Sequence, residues 1–281
     1  MALSKLLVPL DGSSLAEKAL PAAVALAQRS DATICLATII GLTDADRRRA
    51  KSEKYLATAA RSLQRPDGKT CFHIGSGPVA QGIAEIARSE GVDLIVMTTR
   101  GRSGIVRGIL GSITDALIFE APAPVYVVRA DTAPQTAQDA RLPSGVIVSL
   151  DGSELAETAL DDAIQLARSY QSPICLLRVI DEHAEQIEAE RARQYLERIA
   201  LRLAERDIHA VPEIAIGIPG EAIIKAMEQR PDCLVVLTTH GAGGLSRWVR
   251  GNVADWLIGR APGPVVVVSP KEQALLGPAI H

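Results

Sequence analysis

The chain repeats itself at an interval of 140 residues, counted from Asp11 to Asp151, and that interval constrains its fold more than any bulk property. Leu6-Leu7-Val8-Pro9-Leu10-Asp11-Gly12-Ser13 returns as Val146-Ile147-Val148-Ser149-Leu150-Asp151-Gly152-Ser153. The continuation Leu15-Ala16-Glu17-Lys18-Ala19-Leu20 returns as Leu155-Ala156-Glu157-Thr158-Ala159-Leu160. A short apolar run that ends in Asp-Gly-Ser and leads into an amphipathic stretch is a strand, a tight turn and a helix start. The run is apolar throughout, which fits a strand buried on both faces. Ser13 and Ser153 stand where an N-cap hydroxyl would accept from a free backbone N–H. Asp11 and Asp151 are left at the carboxyl ends of their strands, the side on which open α/β sheets hold ligands.

Both halves alternate strand and helix. In the first, strands are predicted at Lys5–Leu10, Ala32–Ile40, Thr70–Gly75, Asp93–Thr98 and Val125–Arg129. Helices are predicted at Ser14–Arg29, Asp44–Gln64, Pro78–Ser89 and Ser112–Glu120. In the second half the strands fall near Val146–Leu150, Ile174–Ile180, Ala210–Ile216, Leu234–Thr238 and Val265–Val268. A long polar helix, Glu182–Arg206, turns Tyr195, Leu196, Ile199 and Leu203 inward. Strands separated by helices pair in parallel through right-handed crossovers, so each half is a doubly wound α/β sheet. Residues 131–143 are rich in Ala, Thr, Gln and Pro and lack an apolar period, and read as a linker between domains at 1–130 and 144–270, with a tail at 271–281.

Bulk properties exclude several function classes. A formal net charge of −3 gives no field to attract nucleic acid or a membrane surface. An aromatic fraction of 3% leaves few platforms for stacking single strands. No apolar stretch is long enough to span a bilayer, and Met1 leads straight into the first strand without a signal peptide. A cytoplasmic location with reduced thiols is expected. Cys35, Cys71, Cys175 and Cys233 form no Cys-x-x-Cys pair and read as small core residues, without redox or metal work. His73, His183, His209, His240 and His281 show no metal-ligand spacing, so no metal site in the protein is expected. Trp248 and Trp256 are expected to pack between lobes rather than to cage a base.

A second repeated stretch carries the chemistry. Thr98-Thr99-Arg100-Gly101-Arg102-Ser103-Gly104 runs on to Gly111-Ser112, and Thr238-Thr239-His240-Gly241-Ala242-Gly243-Gly244 runs on to Gly251-Asn252. Each begins at the carboxyl end of a strand and ends at a helix start. The glycines permit backbone turns that a side chain would obstruct. The helix start offers unpaired N–H groups and a positive dipole end, which suit a phosphate. Ser112 and Thr114 add hydroxyls, and Arg100, Arg102 and Arg107 add charge. The competing reading is a glycine-rich loop without a ligand; two copies, each paired with a strand-end aspartate, favour a ligand site.

These stretches together resemble a tandem universal stress protein, over nearly the whole chain. Nucleotide-binding members of that family carry Gly, two residues, Gly, nine residues, Gly, then Ser or Thr. Here the pattern is Thr98-x-x-Gly101, nine residues, Gly111-Ser112, and Thr238-x-x-Gly241, nine residues, Gly251-Asn252. Both halves put Thr in place of the first Gly, and the second puts Asn252 in place of the hydroxyl. The resemblance implies a five-stranded parallel sheet in each half, of the adenine nucleotide alpha hydrolase-like type, in the order 3-2-1-4-5. It also implies that the halves form an intrachain pseudo-dimer, with homodimers as a further possibility. It implies ATP between the first and fourth strands. By position, Asp11 would contact the nucleoside and Thr38 the base; Met97, Thr98 and Gly101 would line the ribose and phosphates; Gly111, Ser112, Ile113 and Thr114 would hold the phosphates. In the second half the matches are Asp151, Val179 (taken as the partner of Thr38), Leu237, Thr238, Gly241, Gly251, Asn252 and Val253. Mg²⁺ or Mn²⁺ would accompany the nucleotide, held mainly by its phosphates.

Three functions follow for comparison. The first is an ATP-binding regulator of a stress response that changes its contacts with a protein partner of unknown identity. The second is an enzyme, either a slow ATPase or one that phosphorylates itself. The third is a nucleotide-free interaction module. No Gly-x-Ser-x-Gly elbow and no P-loop Gly-Lys-Ser/Thr is present, and no paired base and nucleophile stands out. That pattern favours the regulator over fast catalysis.

Overall fold

The computed structural model describes residues 3–41, 45–66, 68–99, 112–140, 142–239 and 253–269. The chain divides into two compact units, Met1–Leu142 and Pro143–His281. The first holds β1 (Lys5–Pro9), α1 (Ser14–Glu17), α2 (Leu20–Ser30), β2 (Thr33–Ile40), α3 (Ala45–Ser62), β3 (Thr70–Ser76), α4 (Val79–Ser89), β4 (Leu94–Thr99), α5 (Ser112–Glu120) and β5 (Val125–Arg129). The second holds β6 (Gly145–Ser149), α6 (Glu154–Glu157), α7 (Ala159–Tyr170), β7 (Ile174–Ile180), α8 (Gln186–Ala204), β8 (Ala210–Ile216), α9 (Pro219–Glu228), β9 (Cys233–Thr238), α10 (Val253–Arg260) and β10 (Val265–Val268).

Within the first unit all pairings are parallel and the strands lie in the order β3-β2-β1-β4-β5. Within the second the order is β8-β7-β6-β9-β10, again parallel. Each is therefore the 3-2-1-4-5 sheet. Every residue of β4 and of β9 is buried, so both faces of the sheet are covered at its centre. The strands at the β3 and β8 edges are only partly covered, and Phe72, Val211 and Ile216 are exposed there. Along α8, Tyr195, Leu196, Ile199 and Leu203 are all buried, as their 3.6-residue spacing requires. Among the described residues no helix is long and apolar enough to cross a membrane.

Two sequence expectations need correction here. The helix after β1 is not continuous from Ser14 to Arg29: it breaks at Lys18 and resumes at Leu20. Pro21 lacks the N–H that would bond back to Glu17, which accounts for a break. The same break recurs at Thr158, where position 161 is Asp, so the turn does not depend on proline alone. The second correction concerns cysteine. Cys35 on β2 and Cys71 on β3 are register partners with Cα atoms 4.6 Å apart, and they form a disulfide. Free thiols remain at Cys175 and Cys233. No sequence spacing revealed the pair, because its 36-residue separation is set by the β2–α3–β3 crossover.

Candidate functional site

In a 3-2-1-4-5 sheet the crossover connections leave the first strand in opposite directions, and a crevice opens outside the carboxyl ends of the first and fourth strands. In the first unit that point lies beyond β1 and β4. The chain leaves β1 through Leu10 into an exposed turn at Asp11-Gly12. Gly12 has φ +83°, a left-handed conformation that a Cβ would strain. The Asp11 carboxylate accepts from the Ser13 N–H at 2.9 Å, and the Ser13 hydroxyl in turn accepts from the Ala16 N–H at 3.2 Å. The second unit builds the same turn: Gly152 has φ +89°, Asp151 accepts from Ser153 N–H at 2.9 Å, and Ser153 caps Ala156 at 3.1 Å. Residues that sequence alone placed at a strand end thus form a rigid, carboxylate-bearing corner at the switch point of each sheet.

The remaining predicted residues distribute as follows. Thr38 lies near the carboxyl end of β2 and Met97 and Thr98 near that of β4, all three buried. Thr98 donates its hydroxyl to the Leu15 carbonyl at 2.5 Å, tying α1 to β4, so it can offer a ligand its backbone and methyl but not that proton. Ser112 opens α5, with Ile113 exposed and Thr114 buried in its first turn. In the second unit Leu237 and Thr238 are buried on β9, and Val253 opens α10. Gly101, Gly111, Gly241, Gly251 and Asn252 lie outside the described residues, as do Arg100, Arg102, Arg107, His240 and Trp248. Trp256 packs inside the second unit, its ring against Gly220 and beneath Arg260, whose guanidinium is 5.0 Å from the ring centroid.

Val179 is not the counterpart of Thr38. Pro9 pairs with Ala37 and Ser149 with Leu177, so the next residues, Thr38 and Arg178, are equivalent. The outer registers agree, with Thr38 opposite Ile74 and Arg178 opposite Ile214. Val179 matches Ile39, whose side chain points to the other face of the sheet.

Sequence reasoning also missed a tyrosine and a glutamate beside each corner. Tyr55 of α3 donates to the Glu17 carboxylate of α1 at 2.8 Å. Its phenol is raised well above its ordinary value by burial first, then by the Glu17 hydrogen bond and charge and by the charge of Asp11; the Gly12 backbone N–H opposes the rise. Tyr195 and Glu157 stand at the repeat-related positions. There Glu157 accepts from Arg202 at 2.9 Å, and the buried Tyr195 hydroxyl, although close to Glu157, makes no hydrogen bond of acceptable geometry. The Arg178 guanidinium lies 5.4 Å from the Tyr195 ring centroid, a cation–π contact worth about 0.5–2 kcal/mol. The signal was present: Glu17 recurs as Glu157 within the repeated Leu-Ala-Glu stretch, and Tyr55 recurs as Tyr195 on long helices whose sequences mostly differ.

A separate cluster lies on the β2–β3 face. Cys71 and His73 project from one side of β3, and with Cys35 they place three potential ligand atoms within 4.8 Å of one another. Metal ligation by cysteine needs the thiolate, and both sulfurs are joined to each other. His73 stands 3.5 Å from Glu90, which pairs with Lys5 at 3.0 Å. In the second unit Glu213 replaces His73 and pairs with Arg230, while the Cys175 thiol donates to Glu213 at 3.4 Å. Burial, then the Glu213 charge, push the Cys175 thiol up to about 12.

The family model of the universal stress protein family matches residues 3–129 and again 145–269. A universal stress protein of Mycolicibacterium smegmatis is 29% identical over 202 residues, which is 66% of this chain and 65% of that protein's length. Universal stress protein YxiE of Bacillus subtilis is 30% identical over 144 residues, 44% of this chain and 97% of its own. The chain thus spans less than two thirds of the length of the Mycolicibacterium protein. Among solved structures, a universal stress protein from Archaeoglobus fulgidus superposes with a TM-score of 0.77 at 22% identity, covering 95% of this chain and 98% of that one, a likeness of fold. With the family pattern matched twice, once on each five-stranded sheet, the chain belongs to the universal stress protein family.

Proposed function

We propose that this universal stress protein binds ATP in its first unit and acts as a stress-response regulator rather than as a fast enzyme. The observation that carries the reading is the open corner at Asp11-Gly12. It lies at the switch point of the sheet, and a side-chain carbon built on Gly12 would meet nothing within 4 Å. Among the described residues the Cβ side of Gly12 is open to a nucleoside, and the Asp11 carboxylate is exposed and available to its hydroxyls; Thr38 and Met97 are buried near the carboxyl ends of β2 and β4. Gly101, Gly111, Ser112, Ile113 and Thr114 are the proposed phosphate end. Asp11 is the carboxylate nearest the proposed nucleoside and already holds the Ser13 N–H, so Mg²⁺ or Mn²⁺ would take most of its ligands from the phosphates.

The test is to purify the protein without added nucleotide, release any ligand by heat and identify it by absorbance and chromatography. Retained ATP supports the regulator. ADP together with measurable turnover supports a slow ATPase. An empty protein that also fails to bind ATP in calorimetry supports an interaction module instead. Chelation of divalent metal should weaken ATP binding; unchanged affinity would remove the metal from the proposal.

A further inference from the structure

The two corners are alike in sequence and unlike in what covers them. A Cβ on Gly152 would stand 2.8 Å from Nη1, 3.1 Å from Cζ and 3.2 Å from Nη2 of Arg178, whereas one on Gly12 would meet nothing within 4 Å. The guanidinium therefore lies flat against the turn of the second corner, on the surface that the first corner leaves open. It is held there from a second direction by the Tyr195 ring, 5.4 Å away. The register makes Arg178 the positional twin of Thr38, so a short side chain in one sheet is replaced by the longest cationic one in the other. The Tyr-Glu pair is rearranged to suit. Where Tyr55 donates to Glu17, Tyr195 instead stacks under Arg178, and Glu157 is held by Arg202.

We infer that Arg178 is a built-in plug that closes the second crevice to a nucleoside and leaves the chain with a single working nucleotide site. The inference rests on the ATP reading above and adds the residue that decides how many sites there are. A ligand entering the second corner must first lift a planar cation off an aromatic ring and off the turn backbone, while among the described residues no such side chain lies against Gly12. The phosphate ends differ as well, since Ser112 and Thr114 correspond to Asn252 and Ala254, so the test separates the nucleoside end from the phosphate end.

Full-length protein stripped of nucleotide is titrated calorimetrically with Mg-ATP and, separately, with adenosine, which lacks the phosphates. Wild type is expected to saturate with one ATP per chain. Arg178→Thr, which installs the first unit's residue, is expected to add a second binding event for both ligands with at least tenfold tighter affinity than any residual second phase of wild type. Thr38→Arg is expected to abolish the first event. Arg178→Val serves if the threonine variant does not fold. Two equivalent ATP sites in wild type would overturn the plug, as would folded Arg178 variants that still bind once. No binding in wild type or any variant would instead remove the ATP reading itself, and the plug with it.

Discussion

At the residue scale, repeat-related side chains sit in different chemical company, and stability should report it. The Tyr55 hydroxyl donates to a carboxylate at 2.8 Å, so Tyr55→Phe should cost about 1–2 kcal/mol in urea unfolding. The Tyr195 hydroxyl is buried without a hydrogen bond of good geometry, so Tyr195→Phe should be near neutral. Equal losses from both would contradict this difference between the corners. Cys175 supplies a pH-dependent test. Its thiol is raised from 9.0 to about 12, so at pH 8 the native thiolate population should be lower than that of an unfolded thiol by roughly a hundredfold or more. Iodoacetamide labelling read by mass spectrometry should show Cys175 lagging a denatured control by that order. The sign of the linkage follows: the neutral thiol favours the fold, so this contribution is fully present below pH 9 and is lost as pH rises through 9 toward 12. Labelling at the denatured rate at pH 8 would refute the burial argument.

At the scale of elements, the first sheet carries a covalent tie that the second lacks. Cys35–Cys71 joins β2 to the partly exposed edge strand β3, whereas Cys175 on β7 faces Val211 on β8. Closing a loop of 36 residues in the unfolded chain is worth about 2–4 kcal/mol. Cys71→Ser should therefore lower the melting temperature of the first unit by roughly 5–15 °C under non-reducing conditions. A thiol reductant should bring wild type down to the variant and leave the variant unchanged. If reductant moves neither protein, the two sulfurs are not joined in solution. Where His73 on the strand faces Glu90 in the first unit, the second has Glu213 on the strand paired with Arg230, so the acidic side chain has moved to the other side of the contact.

For the whole molecule, ligand binding should stabilise by mass action. ATP at about a hundred times its Kd adds roughly 2.7 kcal/mol to whatever unit binds it. A thermal shift with Mg-ATP is therefore expected in wild type and in Asp151→Ala, and should vanish in Asp11→Ala. Losing a hydrogen bond to a charged group costs about 1.5–3 kcal/mol, which is tenfold or more in affinity. Loss of the shift in Asp151→Ala alone would mean that the ranking of the two sites is inverted.

Much of this was legible in the sequence. The 140-residue repeat, strand-length apolar runs and Asp-Gly-Ser turns specified two α/β units, their element order and the corners that Asp11 and Asp151 occupy, because period, turn chemistry and capping are local properties of the chain. Strand order was implied by family resemblance and is fixed physically by which crossover packs where. The decisive pairings belong to tertiary structure alone. Cys35 meets Cys71 and Arg178 meets Gly152 across crossovers of about thirty residues, and a register error of one residue exchanged Arg178 for Val179. In a sheet a one-residue slip sends a side chain to the opposite face. Only the hydrogen-bonded ladder, which sets that register, decides that a cation rather than a valine lies against the second corner.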